Sequence, residues 1–299
     1  MFESTPTAVM FPGQGSQQPR MRELVAAVRP DLVRQVTPLV GEDPFARADE
    51  SARFESTRFA QPAIFCASLA GWERMRDHVD PVAFAGHSLG ELTALVAAGA
   101  LDERDGLRLV VLRGLLMSIS GEHAGGGTML AVLGATPAQA AAVAARNGVS
   151  VANDNAPGHV VLSGSPAALA AARDDAGRNG LRTTDLDVAG AFHSPQMQDA
   201  VVPFREALAE MHFSEPSVPV FSCATGMPFV DPREELAAAL VRPVRWRETM
   251  TALASGGVRS FVDAGPGRVL AKLAPRCVPG AGAASLDLLL GDLDESRAA

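Results

Sequence analysis

Residues 84–92 read FAGHSLGEL, and the role of Ser88 within them decides the fold. Gly86, His87, Ser88, Leu89 and Gly90 form G-x-S-x-G. The run VAFAG (82–86) before the serine has the length and apolar character of a buried strand, and LGELTALV after it that of an apolar helix. A nucleophile on a tight strand-to-helix turn needs small neighbours, because the helix packs close against the strand. The same turn places the free N–H groups and positive dipole end of the helix beside the hydroxyl. The five letters alone would also fit an ordinary serine in a glycine-bearing turn. The strand and helix on either side favour the nucleophile.

Working outward, TAVMF (7–11) reads as a short buried strand running into the glycine turn PGQGSQ (12–17). After a polar stretch, Gln61-Pro62 opens the helical pattern AIFCASLAGWERMRD, and a further helix, DERDGLRLVVLRGLLMSIS, begins at Asp102. Strands alternating with helices predict a largely parallel sheet covered on both faces. Gly125-Gly126-Gly127 marks a linker, beyond which the order becomes strand TMLAVLG, helix, strand VSVAN, turn DNAPG, strand HVVLSG, helix and strand LRTTDLDV. That β-α-β-β-α-β order is ferredoxin-like. Thr136-Pro137 and Ser165-Pro166 pair an N-cap with Pro at N1 and support its two helices.

The core pattern then resumes with a capped helix at Ser194-Pro195, strand VPVFSC, helices DPREELAAALV and RETMTALASGG, strand RSFVDAG, the GPG turn at 265–267 and helix RVLAKLA. The expected organisation is α/β: a core of residues 1–126 and 191–299 interrupted by a ferredoxin-like subdomain at 127–190, with the acidic tail LGDLDESRAA frayed.

At 299 residues with 47% hydrophobic and 20% charged side chains, the chain can build a sizeable core. A net charge of −8 and a pI near 5.3 speak against nucleic acid and anionic membranes as partners. Among 26 Lys and Arg only Lys272 is a lysine, so any anion site will be built from arginine, the better bidentate partner for carboxylate. Cys66, Cys223 and Cys277 are scattered without metal spacing, which implies neither a disulfide framework nor a zinc site. With no leader pattern and no long apolar run, a soluble cytoplasmic protein is expected.

A serine nucleophile needs a base, and the chain has six histidines. An α/β-hydrolase would carry its histidine late in the chain, but His212, the last, falls within a helical pattern. His193 lies after TDLDVAGAF and before a capped helix, a loop position at the edge of the insertion. It is the candidate base; a satisfied structural histidine at a helix start is the other reading. Arg113 interrupts the apolar helix VVL-R-GLLM, with Leu109, Val110, Leu116 and Met117 at i±4 and i±3. A guanidinium buried there without a partner would be costly. A ligand carboxylate is the attractive partner, against a snorkelling side chain or a distant acidic residue.

FPGQGSQ (11–17), QPA (61–63), AGHSLGEL (85–92), LRLVVLRGLLM (107–117), VANDNAPGHVVLSG (151–164), AFHSPQM (191–197), PVRW (243–246) and DAGPGRVL (263–270) occur in this order. Together they resemble the malonyl-CoA:acyl carrier protein transacylase family, including the acyltransferase domains of polyketide synthases. The resemblance runs over nearly the whole chain. It implies an α/β-hydrolase-like core with a ferredoxin-like insertion, Ser88 as the acylated nucleophile and His193 as the base of a dyad. It also implies that a backbone carbonyl at Arg242, where relatives commonly have Asn, orients the histidine. The oxyanion hole would be the N–H groups of Leu89 and Gln14. Arg113 would hold malonyl's free carboxylate, with Gln61 and His87 lining the pocket. Phe192 in AFH would occupy the space of an α-methyl, as it does in malonyl-using relatives. Asn153 and Asn155, read here as turn residues, would face pantetheine or the carrier.

The expected function is transfer of malonyl from malonyl-CoA to an acyl carrier protein by a monomer that needs no metal or redox cofactor. A serine hydrolase of esters or thioesters shares Ser88 and His193 but has no use for Arg113. A non-catalytic carrier-docking module would not need every catalytic position filled.

Overall fold

The computed structural model describes residues 5–45, 56–188 and 190–287. β1 (Thr7–Phe11) is buried along its whole length and alternates between two cores. Val9 and Phe11 face the larger one, while Ala8 and Met10 face a second built on Trp246, Met250, Phe261 and Leu270. A strand buried on both faces belongs to the middle of a parallel sheet. β1 pairs in parallel with β2 (Pro81–Gly86) and β8 (Ser260–Asp263), and the five-stranded sheet runs β7-β2-β1-β8-β9, with β7 (Val220–Phe221) and β9 (Gly282–Ser285) at its edges. The larger face is covered by α1 (Met21–Val28), α2 (Pro30–Val40), α3 (Thr57–Met75), α4 (Gly90–Ala97), α5 (Glu103–His123) and, later in the chain, α8 (Gln198–Ala209).

Between α5 and α8 the chain builds β3 (Thr128–Leu133), α6 (Pro137–Asn147), β4 (Ser150–Ala156), β5 (His159–Gly164), α7 (Pro166–Arg178) and β6 (Arg182–Leu186). Their antiparallel sheet has the order β4-β5-β3-β6, the ferredoxin-like arrangement. Both helices start as expected: Thr136 closes a capping box with Gln139, and Ser165 accepts the Ala168 N–H. One face of this sheet packs on α6 and α7 through Leu130, Val132, Val160 and Leu162. On the other face, Met129, Ala131, Ala152 and Val161 join the main core. The insertion is welded to its host.

Several local expectations are corrected. The polar stretch after PGQGSQ contains α1 and α2, whose buried residues are few and spaced by a helical turn (Leu32, Val36, Val40). α3 starts at Thr57, so Gln61 and Pro62 lie inside its buried second turn. β4 runs on to Ala156, because pairing with β5 through two register shifts keeps Asn153 and Asn155 extended rather than in a turn. VPVFSC supplies only the two residues of β7, and β9 was not foreseen. Ser194-Pro195 opens a 3-10 turn that leads into α8, which ends at Ala209 and leaves His212 outside any helix. α9 (Pro232–Ala239), α10 (Trp246–Ser255) and α11 (Val269–Cys277) complete the core. The tail at 290–299 lies outside the described residues. Among those described, no helix is long and apolar enough to cross a membrane.

Candidate active site

Ser88 sits where β2 turns into α4 and holds φ at 54°, a conformation unfavourable for a residue with a side chain. The turn is possible because its neighbours lack one. A Cβ on Gly90 would lie 1.9 Å from the Phe11 carbonyl oxygen, and one on Gly86 2.1 Å from the Glu91 nitrogen. Strand and helix therefore approach to backbone contact, and the serine projects from the tip. Its own N–H donates to Cys223 Sγ at 3.3 Å.

His193 also has a positive φ, 56°, and its Nε2 lies 2.8 Å from Ser88 Oγ. Nδ1 meets two backbone carbonyls, Ala239 at 2.9 Å and Arg242 at 3.0 Å. Carbonyls only accept, so Nδ1 carries the ring proton and Nε2 presents its lone pair to the serine. Burial, followed by the Arg113 charge nearby, pushes the imidazole down to about 3, so a second proton is opposed. The ring is a neutral base held by main chain, with no carboxylate behind it among the described residues.

Arg113 projects from α5 and is 4% exposed. Its Nη1 donates to Gln61 Oε1 at 2.8 Å and its Nη2 to Ser88 Oγ at 3.0 Å. Since a guanidinium can only donate, the serine must send its own proton to His193. Gln61, fully buried, completes its amide with Gln14 Oε1 and Met117 Sδ, each at 3.3 Å. No carboxylate hydrogen-bonds Arg113 among the described residues, and burial lowers its pKa to about 10.

Leu89 is the next residue in the turn, while Gly13, beside Gln14, lies so close to the elbow that a Cβ would be 2.7 Å from the His87 carbonyl oxygen. Among the described residues neither the Leu89 nor the Gln14 N–H is spent on a backbone partner. His87 Nε2 meets Asn155 Oδ1 of β4 at 2.8 Å, with its ring tilted against Trp246. Burial lowers the His87 pKa, and a neutral ring donating from Nε2 satisfies Asn155. Phe192 stands outside this network: it is buried in the main core with its ring over Gly190.

Two groups at the site were missed in the sequence. Glu91, 1% exposed in the first turn of α4, accepts the Ser222 hydroxyl at 3.1 Å and the Cys223 N–H at 2.8 Å. Burial raises its carboxyl to about 7 despite those bonds. The signal that singled out Arg113, a charge inside an apolar helix, was present at Glu91 as well. The Ala239 carbonyl behind His193 carries no sequence signal, because any residue supplies a carbonyl.

The arrangement is a hydroxyl aligned with a neutral base and a buried cation against the nucleophile, at an elbow whose Leu89 N–H has no backbone partner among the described residues. Residues 9–293 match the acyl transferase domain family. The chain is 38% identical over 282 residues, 91% of its length, to the polyketide biosynthesis protein ThaF of Burkholderia thailandensis, and spans only 24% of that much longer protein. It is 34% identical over 286 residues to the polyketide biosynthesis malonyl CoA-acyl carrier protein transacylase BaeC of Bacillus velezensis, covering 89% of this chain and 95% of that one. The solved structure of malonyl-CoA:acyl carrier protein transacylase (FabD) from Xanthomonas oryzae pv. oryzae superposes with a TM-score of 0.89 at 35% identity, covering 99% of each chain. The chain belongs to the malonyl-CoA:acyl carrier protein transacylase family of acyl transferases.

Proposed function

We propose that this chain moves malonyl from malonyl-CoA to the phosphopantetheine thiol of an acyl carrier protein through a malonyl-Ser88 ester. One observation carries the choice of acyl group: the buried Arg113 guanidinium lies 3.0 Å from the attacking oxygen. In a malonyl group one methylene separates the reacting carbonyl from the free carboxylate. A cation this close to Oγ suits that short reach and a bidentate grip on the carboxylate.

His193 Nε2 takes the Ser88 proton as Oγ attacks the thioester carbon, and the oxyanion is received by the Leu89 and Gln14 N–H groups. Collapse breaks the C–S bond, and His193 returns its proton to the departing CoA sulfur. The carrier's thiol then gives its proton to His193 and attacks the ester. Collapse of the second intermediate frees Ser88, which recovers the proton. His87 and Asn155 brace the elbow, and Gln61 orients Arg113. Every step is nucleophilic or acid–base chemistry, so the reaction calls for no redox cofactor or metal. Use of CoA thioesters and a carrier protein supports a cytoplasmic location, and a monomer would suffice for the groups named.

A serine hydrolase would use the same dyad but would have no need of the cation. Intact mass after incubation with malonyl-CoA separates the readings. The wild-type chain should gain one malonyl group, Ser88→Ala none, and added carrier should take the group over. Release of free malonate with none on the carrier would favour the hydrolase.

A further inference from the structure

β4 of the ferredoxin-like insertion reaches the residues that flank both halves of the dyad. Toward the serine, Asn155 bonds His87, the residue before Ser88. Toward the histidine, β4 pairs with Val244 of the core: the Val244 N–H donates to Ala152 O and the Asp154 N–H to Val244 O, each at 2.8 Å. Two residues earlier in the same segment is Arg242, whose carbonyl receives the His193 Nδ1–H. Three residues after Val244, Arg247 closes on the same strand. Its Nε lies 3.1 and 3.0 Å from the two Asp154 carboxylate oxygens, and its Nη2 2.6 Å from Oδ2. This forked contact joins the insertion to the core, with side chains 31% and 15% accessible. On its other side the segment is fixed by the Arg245 N–H to the Cys223 carbonyl and by Arg245 Nη1 to Thr225 O. The segment 242–247, which leads into α10, is thus held between two supports, and Asp154–Arg247 is the side-chain lock on one of them.

We propose that the Asp154–Arg247 ion pair is a positioning element for His193. It clamps β4 against residues 242–247 and so fixes the Arg242 carbonyl, one of the two that orient the imidazole. The pair touches no reacting atom; it acts through the backbone of Val244 and Arg242. The proposal rests on the reading of His193 as the base of malonyl transfer. A base misplaced by even a fraction of an ångström loses rate in a way that ground-state binding does not register. The carboxylate of the substrate is gripped elsewhere, by Arg113, so substrate affinity should be spared.

The test compares wild type, Asp154→Ala, Arg247→Ala, the double variant and the charge-reversed Asp154→Arg/Arg247→Asp. For each, the rate of Ser88 loading from malonyl-CoA is measured by rapid quench and intact mass. NMR follows the His193 ring N–H resonance, assigned with His193→Ala. Each single variant should lower the loading kcat about tenfold with KM within about twofold, the double should fall no further, and charge reversal should recover part of the rate. The His193 N–H signal should shift or broaden in the slow variants. A role confined to stability would lower Tm while leaving kcat and the resonance unchanged, and that result overturns the proposal. If the alanine variants do not fold, Asp154→Asn, which keeps the shape and removes the charge, carries the same comparison. Wild-type protein that loads no malonyl would instead refute the transacylase reading, whatever the variants do.

Discussion

Arg113 Nη2 donates to Ser88 Oγ at 3.0 Å, so a buried guanidinium rests on the nucleophile itself. Its charge opposes protonation of His193, which stands on the other side of the same oxygen. One arginine therefore has two effects. It keeps the base free of a second proton and, on the proposed reading, would receive the substrate's carboxylate.

The first effect predicts the pH profile. An unperturbed histidine would give kcat/KM an acid limb near pH 6.5. Here burial and Arg113 hold His193 down to about 3, so its limb in the kcat/KM for loading should fall far below that position. Arg113→Ala removes one of the causes and should move the limb upward, while His193→Ala should cost about two to four orders of magnitude in rate. A wild-type limb that titrates near 6.5 and vanishes with His193 would contradict this account.

Glu91 predicts a pH-dependent stability. Its folded carboxyl is raised to about 7 from an ordinary value of 4.5, so between these pH values the folded state holds a proton that the unfolded chain has lost. The stabilisation is complete below the lower value and disappears as pH rises through the upper one. Gln at this position keeps an oxygen for the Ser222 hydroxyl and the Cys223 N–H and never ionises. Denaturant melts of wild type and Glu91→Gln should therefore converge at low pH. They should diverge in favour of Gln above neutrality, by up to about 3 kcal/mol. Parallel stability curves across this range would show that Glu91 is not buried as described.

The elbow predicts a reversed sign for a helix substitution. In an exposed helix Gly→Ala stabilises by about 1 kcal/mol. At Gly90 the new Cβ would stand 1.9 Å from the Phe11 carbonyl oxygen, in backbone that cannot retreat. Gly90→Ala should lose at least about 1–3 kcal/mol and most of its loading activity. A Tm at or above wild type would mean that helix and strand are not in contact there.

Much of this was legible before the fold was known, where the signal is local. The apolar run, glycine, serine and glycine of 82–90 dictate β2, the tight turn and α4, because only glycine permits such an approach. Thr136 and Ser165 announced their helices by caps that depend on a few adjacent residues. What escaped depends on pairing at a distance. Asn155 carries turn chemistry in its side chain, yet β5 and the core hold it extended, and its amide serves His87 across the domain boundary. The family resemblance pointed to the Arg242 carbonyl, which lies 3.0 Å from His193 Nδ1, but nothing in the sequence announced the Ala239 carbonyl that joins it. α1 and α2 were hidden by polar faces, since helices covering one side of a core bury few residues each.

The central claim, that Arg113 makes this dyad a malonyl transferase, is tested most directly by comparing malonyl and acetyl transfer in wild type, Arg113→Ala and Arg113→Lys. Removing the guanidinium leaves malonyl's carboxylate in a dry pocket without a partner, a loss of about 3–5 kcal/mol, so kcat/KM for malonyl-CoA should fall by roughly two to four orders of magnitude. Acetyl-CoA has no carboxylate to strand, and its transfer should hold or rise. Lysine should restore only part of the malonyl rate, since it cannot present the planar fork. If malonyl and acetyl transfer decline in parallel, Arg113 only supports the fold and the nucleophile, and the assignment of malonyl to this site loses its physical basis.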